Sequence, residues 1–594
     1  MQTKQILQKA VIWIVVLLSL QAKGQNVLLQ KVQNAENGGV AFVPVNLFSA
    51  TTGNTHDDVV GVAILLKSDV LATSSLYQSR PGAIQLTITT ITGKSYTLKM
   101  LQSHPLAGNA DIGYIDRGGR HQCAYDEGLH YQGVVSGPEK SMAAVSIFAD
   151  GTIMGLFGND EGNFVIGKLT DGSGNYILYN DRDLKVQSKA QCHVFDTKQT
   201  TAVNDMARTT GVNICNKVKV YWECDYDMNV FQGGISATQT YLTGLFNQVQ
   251  TLYANESIAV ELVSMYIWTV HDTYNSSMGA SQVYPFMAYW NGRGNSFTGD
   301  VAMFITHDGG GGIAAINGIN NRSYAYGYSG LNGTYSTVPT YSWDATTPTH
   351  EMGHQCGLYH THNCMWHTGP GGTCGAIDNC YTIESSSGCT TCGATDSVSK
   401  GGFTGTIMSY CHLTPIGVNL ANGFGPLPGN ALRNNVSTCG NLSSLISITL
   451  TPTSICNNDG AVNLAFNTDN FGTAPYSYYW SGGRTSQNIS GLSLAGNYIV
   501  TVTDSNKCVA SVTVNVPKFA TPGNGISPNF QPICCKDTSF SYTLSASAPA
   551  NLLPCHTVAW LRTTAPITTY AAAQTAFNSA ATTDIMYSAN SAAG

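Results

Sequence analysis

The residues best placed to do chemistry lie in Thr349-His-Glu-Met-Gly-His-Gln-Cys-Gly-Leu-Tyr-His360. On a helix, His350 and His354 fall one turn apart on a single face, so both imidazoles can reach one cation. A catalytic zinc takes three protein ligands and keeps a fourth position open. Glu351, between the two histidines, can take a proton from water activated at that position. Gly357 permits the left-handed turn that ends a helix. The chain can then double back and offer His360 as the third ligand. The spacing therefore predicts one zinc ion on His350, His354 and His360, with Glu351 as general base.

A helix must present that face, and Thr347 followed by Pro348 is a reasonable start for it. Upstream, Lys217 to Tyr221 reads as a strand. Leu242, Leu245, Phe246, Val249, Leu252 and Tyr253 recur at helical spacing behind a cap at Ser236. Ser257 to Thr269 and Asp300 to Thr306 read as further strands, so residues 209–440 are expected to form an α/β domain. Residues 26–208 are β-rich, with apolar and polar residues alternating in Ala83 to Thr90 and Ala143 to Phe148. They end in a polar linker, Val186 to Gly211, that contains Arg208. Residues 446–517 read as an all-β module, with Tyr476 to Trp480, a Gly482-Gly483 turn and Tyr498 to Thr503. Residues 518–594 are rich in Ala, Ser, Thr and Pro and receive no assignment beyond an incomplete β module.

Composition narrows the setting. Lys4 and Lys9 precede an apolar run from Ala10 to Leu20 and small or polar residues around Ala22 to Gln25, the layout of a secretory signal peptide over 1–25. A membrane anchor would need about 20 apolar residues, and no later segment reaches that length either. The chain is therefore expected to be secreted, extracellular or on the cell surface. Charged residues make up 11% of the chain, against about 25% in ordinary globular protein. The net charge of -7, with no basic cluster, argues against nucleic acid as a partner. Seventeen cysteines in an exported chain read mainly as disulfides, and an odd total leaves at least one thiol for another task.

Gly405-Thr-Ile-Met-Ser-Tyr-Cys-His412 lies downstream. With HExxHxxGxxH before it, the chain resembles the metzincin clan, in which a tight turn carries a methionine below the zinc. Met408 matches that Met-turn. In astacins and serralysins a tyrosine two residues on contacts zinc or the reacting oxyanion, which implies a catalytic Tyr410; a buried structural tyrosine is the alternative. Tyr131-Gln-Gly-Val-Val135 and Ser141 to Gly155 resemble the propeptide of reprolysins, and Lys217 to Met228 is similar to that family's first catalytic strand. The implied fold is multidomain: a β-rich propeptide, an α/β metzincin domain with a mixed sheet and an active-site helix, and the C-terminal β-sandwich. Lys189-Ala-Gln-Cys-His-Val194 is similar to the reprolysin cysteine switch. Cys192, rather than Cys123, would then fill zinc's open position until the prosegment is removed near Arg208; a Cys123–Cys192 disulfide is the other reading. Two residues depart from reprolysins, Thr361 where that family carries Asp and Tyr410 which it generally lacks. Leu358-Tyr-His-Thr361 also resembles pappalysin-like metzincins. Gly309 to Gly312 stands where metzincins place the edge strand that pairs with extended substrate.

Other candidates receive plainer readings. Once three ligands are assigned, His362, His367 and His412 are surface or structural residues. Asp378-Asn379 could take calcium, although a solvated loop is the simpler account. Cys374, Cys380, Cys389 and Cys392 could hold a structural zinc, with disulfides preferred. Pro475 to Trp480 and Gly496 to Cys508 resemble the SprB-type repeat of surface adhesins in gliding bacteria, which implies an Ig-like sandwich, a Cys456–Cys508 pair and attachment to a cell surface or matrix. That resemblance also implies an exporter that places a sorting domain at the C-terminus; none is read before Gly594, so the chain is expected to be a fragment. The expectation as a whole is a secreted zinc metalloendopeptidase, made latent, that cleaves extended protein or peptide substrates. The competing expectations are a pappalysin-like protease and a catalytically silent surface adhesin built on the same scaffold.

Overall fold

The computed structural model describes residues 26–90, 93–186, 192–195, 214–274, 279–308, 311–366, 375–384, 405–455, 458–467, 471–518, 558–561 and 585–588. The signal segment, Arg208, Gly309, Gly310, His367, Cys374, Cys389, Cys392 and Cys456 lie outside them. The chain divides into two units, one running from the N-terminus to Ser447 with Asn467–Ala474 and Asp504–Val509, the other holding most of the chain beyond Ser447.

In the first unit, strands between Val43 and Asn180 form a ten-stranded sheet. Ala83–Thr89 and Met142–Ile147 fall where the alternation places strands. Met142–Ile147 and Ile153–Asn159 are nonetheless buried throughout. The reason is that both faces of the sheet are covered. Ile84, Leu86, Leu98 and Phe157 enclose a core of their own. Met142, Met154, Leu156 and Val165, facing the other way, join the core of the helix Ile235–Ala254. Gly244 of that helix lets the Met154 sulfur come close, since a Cβ there would stand 2.5 Å from it. Polar side chains in the contact are paired: Gln132 Nε2 donates to Gln250 Oε1 (2.6 Å) and Asn247 Nδ2 to Ser146 Oγ (3.1 Å).

The second sheet of this unit runs in the order Cys192–Phe195, Gly311–Ala315, Tyr326–Gly330, Val301–Thr306, Asn216–Cys224, Ala259–Trp268, Leu106–Asp116, Gly119–Gln122, with Ser443–Ser444 beside Asn216–Cys224. Its central strands are parallel, and Gly311–Ala315 runs antiparallel to Tyr326–Gly330. Val218, Val220, Trp222, Met265, Ile267 and Met303 are buried, as strands covered by helices must be. Leu106–Asp116 comes from the N-terminal region, yet it pairs parallel with Ala259–Trp268, Ile112 against Met265.

Three local expectations need correction. The helix bearing His350 and His354 spans Tyr341–Gln355, so Pro348 sits inside it rather than at its start. Buried Tyr341 and Ala345 anchor the extra turns, and the Asp344 carboxylate holds the preceding loop through the amides of Asn332 (2.9 Å) and Gly333 (3.3 Å). The helix Ile235–Ala254 begins behind Gly234, with no side-chain cap, and Ser236 lies within it. Gly233 and Gly234, at φ +91° and +118°, make that turn by backbone alone. The first catalytic strand stops at Cys224, because Asp225 caps a short helix, Tyr226–Gln232, through the Met228 amide (2.7 Å).

The second unit pairs Ile448–Thr453, Gly460–Phe466 and Ile489–Leu492 in one sheet, and Ser477–Trp480, Gly496–Thr503 and Val509–Val516 in another. Fully buried Val462, Trp480, Val500 and Val502 supply its interior. The Cys456–Cys508 pair is not formed: Cys508 bonds Cys215 instead. The Asp504–Val509 segment belongs to the first unit, where the Cys508 Sγ also lies 3.6 Å from the Ile214 carbonyl. Among the described residues no helix is long and apolar enough to cross a membrane.

Candidate metal centre

His350 and His354 project from the last turns of the Tyr341–Gln355 helix, and both are buried. Gly357 comes next at φ +93°, where an L side chain would be strained and a Cβ would stand 2.5 Å from Asn435 Nδ2. This turn brings His360 back toward the helix. His354 Nε2 lies 3.1 Å from His350 Nε2 and 3.1 Å from His360 Nε2.

The far side of each ring is held by a group that can only accept. His350 Nδ1 donates to the Ile407 carbonyl (2.7 Å), His354 Nδ1 to the Leu358 carbonyl (2.7 Å) and His360 Nδ1 to Glu384 Oε1 (2.9 Å). Each ring is therefore the Nδ1–H tautomer when neutral, and three Nε2 lone pairs point at one another. Burial, then the charge of neighbouring histidines, pushes His350 and His354 well below the ordinary imidazole range, so neither supplies a proton to relieve the crowding. Tetrahedral ligands with bonds of about 2.05 Å stand about 3.3 Å apart, so the donor set fits a zinc ion.

Cys192 joins this group: its Sγ and the three histidine nitrogens lie within 4.8 Å of one another. Cys123 does not, since its sulfur accepts from Gln239 Nε2 (3.1 Å), and the two thiols are unbonded to each other. The Cys192–Phe195 strand adds parallel to Gly311–Ala315, with Cys192 opposite Gly312. The expected edge strand is therefore present and covered in this state. Burial and then the Glu351 carboxylate push the Cys192 thiol well up; a cation at the histidines would reverse that balance.

Glu351 is 1% exposed, and neither of its oxygens meets a nitrogen or oxygen donor among the described residues. Its neighbour is the Cys192 thiol. Burial holds its carboxyl well above the usual range. Gly312 makes room for it, since a Cβ there would stand 2.5 Å from the Glu351 carboxyl carbon. Nothing in the sequence singled that glycine out from its neighbours.

Met408 is fully buried beneath the helix, and a Cβ at Gly353 would stand 2.7 Å from its sulfur. Thr361, where reprolysins carry Asp, ties the third-ligand loop to this turn: its amide (3.0 Å) and hydroxyl (3.2 Å) both donate to the Met408 carbonyl. Tyr410 is buried with its ring 4.8 Å from that of His360, and its hydroxyl donates to the Cys192 carbonyl. Cys380 bonds Cys411, and Asp378 Oδ1 accepts from the Cys380 amide (3.2 Å); Asp378 is buried, so the stretch expected to be a solvated loop, with calcium as the other reading, is held in by a disulfide. His362 is buried and stacks on His360 (4.9 Å), so it is structural rather than a surface residue. His412 lines a cleft of about 220 Å³ that opens beside His350, with Trp343, Thr347 and Pro415. Asn163 and Asp181 of the N-terminal sheet region line the same cleft, a contribution that no local pattern announces.

Comparison with known proteins bears on this geometry. Residues 215–415 match metallo-peptidase family M12. The match spans the first catalytic strand, the three histidines, Glu351 and Met408, and it supports zinc metalloprotease function for this domain. Among solved structures the chain is similar to metalloproteinase-II from Bacteroides fragilis, at 14% identity over 55% of this chain and 90% of that one, with a TM-score of 0.29. It is also similar to a chain in a chaperone–substrate complex, at 14% identity over 36% of this chain and 32% of that one, with a TM-score of 0.20. No curated protein matches.

Proposed function

We propose that the chain is a secreted, reprolysin-like zinc metalloendopeptidase made as a latent precursor. The observation that carries this reading is the convergence of three tautomer-fixed histidine nitrogens and the Cys192 sulfur beside the Glu351 carboxylate. A zinc ion on His350, His354 and His360 would supply Lewis-acid polarisation of the scissile carbonyl and of the attacking water. Glu351 takes the proton of that water and passes it to the leaving amine. Substrate lies extended along Gly311–Ala315, in the place that Cys192–Phe195 holds in this state. The Tyr410 hydroxyl, which here donates to the Cys192 carbonyl, then donates to the oxyanion of a substrate carbonyl in the same place.

Export is supported by the signal-like N-terminus and by two disulfides among the described residues. Processing near Arg208 frees the Cys192 strand, and the C-terminal β module serves attachment to a surface. The test is cleavage of casein or gelatin by the processed chain, with and without chelator, and by Glu351→Ala. Loss of cleavage under both treatments is expected. Cleavage that survives both would overturn the zinc-hydrolase reading, and inactivity of every form after processing would favour the silent adhesin.

A further inference from the structure

We propose that Glu384 is the positioning residue for the third metal ligand and that it sets how tightly the site holds zinc. The inference rests on the zinc reading above. Of the three ligands, His360 is the one the helix does not carry. His350 and His354 hand their Nδ1 protons to backbone carbonyls that the fold itself fixes, those of Ile407 and Leu358. His360 hands its proton to a side chain, Glu384 Oε1 at 2.9 Å. The His360 side chain is 1% exposed and that of Glu384 35%, so the carboxylate reaches in from the rim.

The strap that bears Glu384 is fastened at several points. The Glu384 amide donates to the His362 carbonyl (3.1 Å), and the Cys364 amide donates to the Glu384 carbonyl (3.0 Å). Asn363 Nδ2 donates to Glu384 Oε2 (3.2 Å), which leaves the other oxygen to His360 Nδ1 at 2.9 Å and, less closely, to His362 Nε2 at 3.3 Å. The Ile377 amide donates to the Thr361 carbonyl (2.7 Å), and the Cys380–Cys411 disulfide ties the strap to the turn that carries Met408. Glu384 is thus built into both the third-ligand loop and the floor of the site.

A carboxylate on Nδ1–H does two things for a ligand. It fixes the tautomer that leaves Nε2 free, and it makes the imidazole a stronger donor. A backbone carbonyl does the first and much less of the second. His360 is therefore the most strongly donating of the three ligands, and Glu384 acts through it without touching metal or substrate.

The experiment is a competition titration of the full-length chain with a chromogenic zinc chelator, for wild type, Glu384→Ala and Glu384→Gln. Thermal unfolding of each zinc-free protein is measured in parallel. Glu384→Ala should raise the zinc dissociation constant about 10–100-fold. Glu384→Gln, which keeps an acceptor without the charge, should fall between it and wild type. The zinc-free forms should unfold together, because a purely structural role would move that measurement instead. If Ala destabilises the zinc-free fold, the Gln variant decides. Zinc affinities within twofold of wild type for both variants would overturn the role of Glu384. A wild-type chain that takes no zinc from the chelator would instead overturn the zinc reading itself.

Discussion

Arg120 offers the sharpest test of how the N-terminal region is joined to the catalytic sheet. It stands on Gly119–Gln122, upstream of the expected processing site, and its guanidinium lies 3.1 Å from Glu223 Oε2 on the first catalytic strand. Glu223 has no exposed side-chain surface and Arg120 32%. The guanidinium also faces the rings of Tyr266 and Trp290, at 4.4 and 4.7 Å. Removing one partner of a buried ion pair costs about 3–5 kcal/mol, because the other charge stays behind. Three donors remain on Glu223, namely Trp268 Nε1 (2.7 Å), the Tyr274 hydroxyl (2.8 Å) and the Tyr221 hydroxyl, which places the cost near the lower end. Arg120→Met, which keeps much of the apolar stem, should therefore destabilise the full-length chain by about 3 kcal/mol. Urea unfolding monitored by tryptophan fluorescence measures it, since Trp268 and Trp290 flank the pair. Adding Glu223→Gln should recover much of the loss, because the stranded charge is then gone. A single variant that costs less than about 1 kcal/mol, or a double variant no better than the single, would refute the reasoning.

Cys192→Ser removes the thiol that faces the histidines, so substrate should displace the loosened Cys192–Phe195 strand and the unprocessed variant should cleave gelatin faster than unprocessed wild type; equal inactivity of the two would sink the thiol's part in latency and leave the strand alone as the block. Because Leu106–Asp116 is a strand of the catalytic sheet, a chain cut near Arg208 should yield two pieces that co-elute on native gel filtration, and clean separation would contradict this. Gly312→Ala should lower kcat by about 100-fold while zinc stays bound, since the new Cβ displaces the Glu351 carboxylate and a misplacement of about 1 Å costs that much. Metal analysis beside the rate separates this from loss of the ion. Burial, and then the charges of Asp227 and Asp272 against the opposing Met228 amide, push Asp225 up to about 8. The folded chain thus holds that proton more tightly than the unfolded one, and its stability should fall as pH rises from about 4 to about 8. Asp225→Asn, which keeps the helix cap, should flatten that fall, and an unchanged slope would exclude the group.

The legible part of the sequence was local. His350, His354, Gly357 and His360 are set by helical spacing and one left-handed turn, and neither depends on distant chain. The start of their helix was not legible, because Pro348 signals a first turn while buried Tyr341 and Ala345 carry the helix further back. The Cys508 partner was also hidden, since a module boundary drawn from turn residues says nothing about which unit the Asp504–Val509 segment packs with. Glu384 has no signal at all: a cysteine-rich loop separates it from His360, and only the folded strap brings them together.

The boundary expected near residue 208 met the same limit. Strand-like alternation in 26–208 correctly implied a β-rich region, but alternation describes one covered face. Here Met142–Ile147 and Ile153–Asn159 are covered on both, because the helix Ile235–Ala254 lies against them. That helix is itself buried along nearly its whole length, which a surface helix of a free-standing domain is not. With Gln132 and Gln250, Asn247 and Ser146, and Arg120 and Glu223 paired across the contact, removing the N-terminal region would expose apolar surface and strand polar groups together. Under the proposed latency only the Cys192–Phe195 strand has to leave the edge of the sheet, and its contacts there include the short ladder with Gly311–Ala315, the Tyr410 hydroxyl on the Cys192 carbonyl and the Cys192 thiol beside Glu351. On the proposed reading, the part of the chain that blocks the site and the part that supports the catalytic sheet are therefore distinct, although both precede the expected processing site.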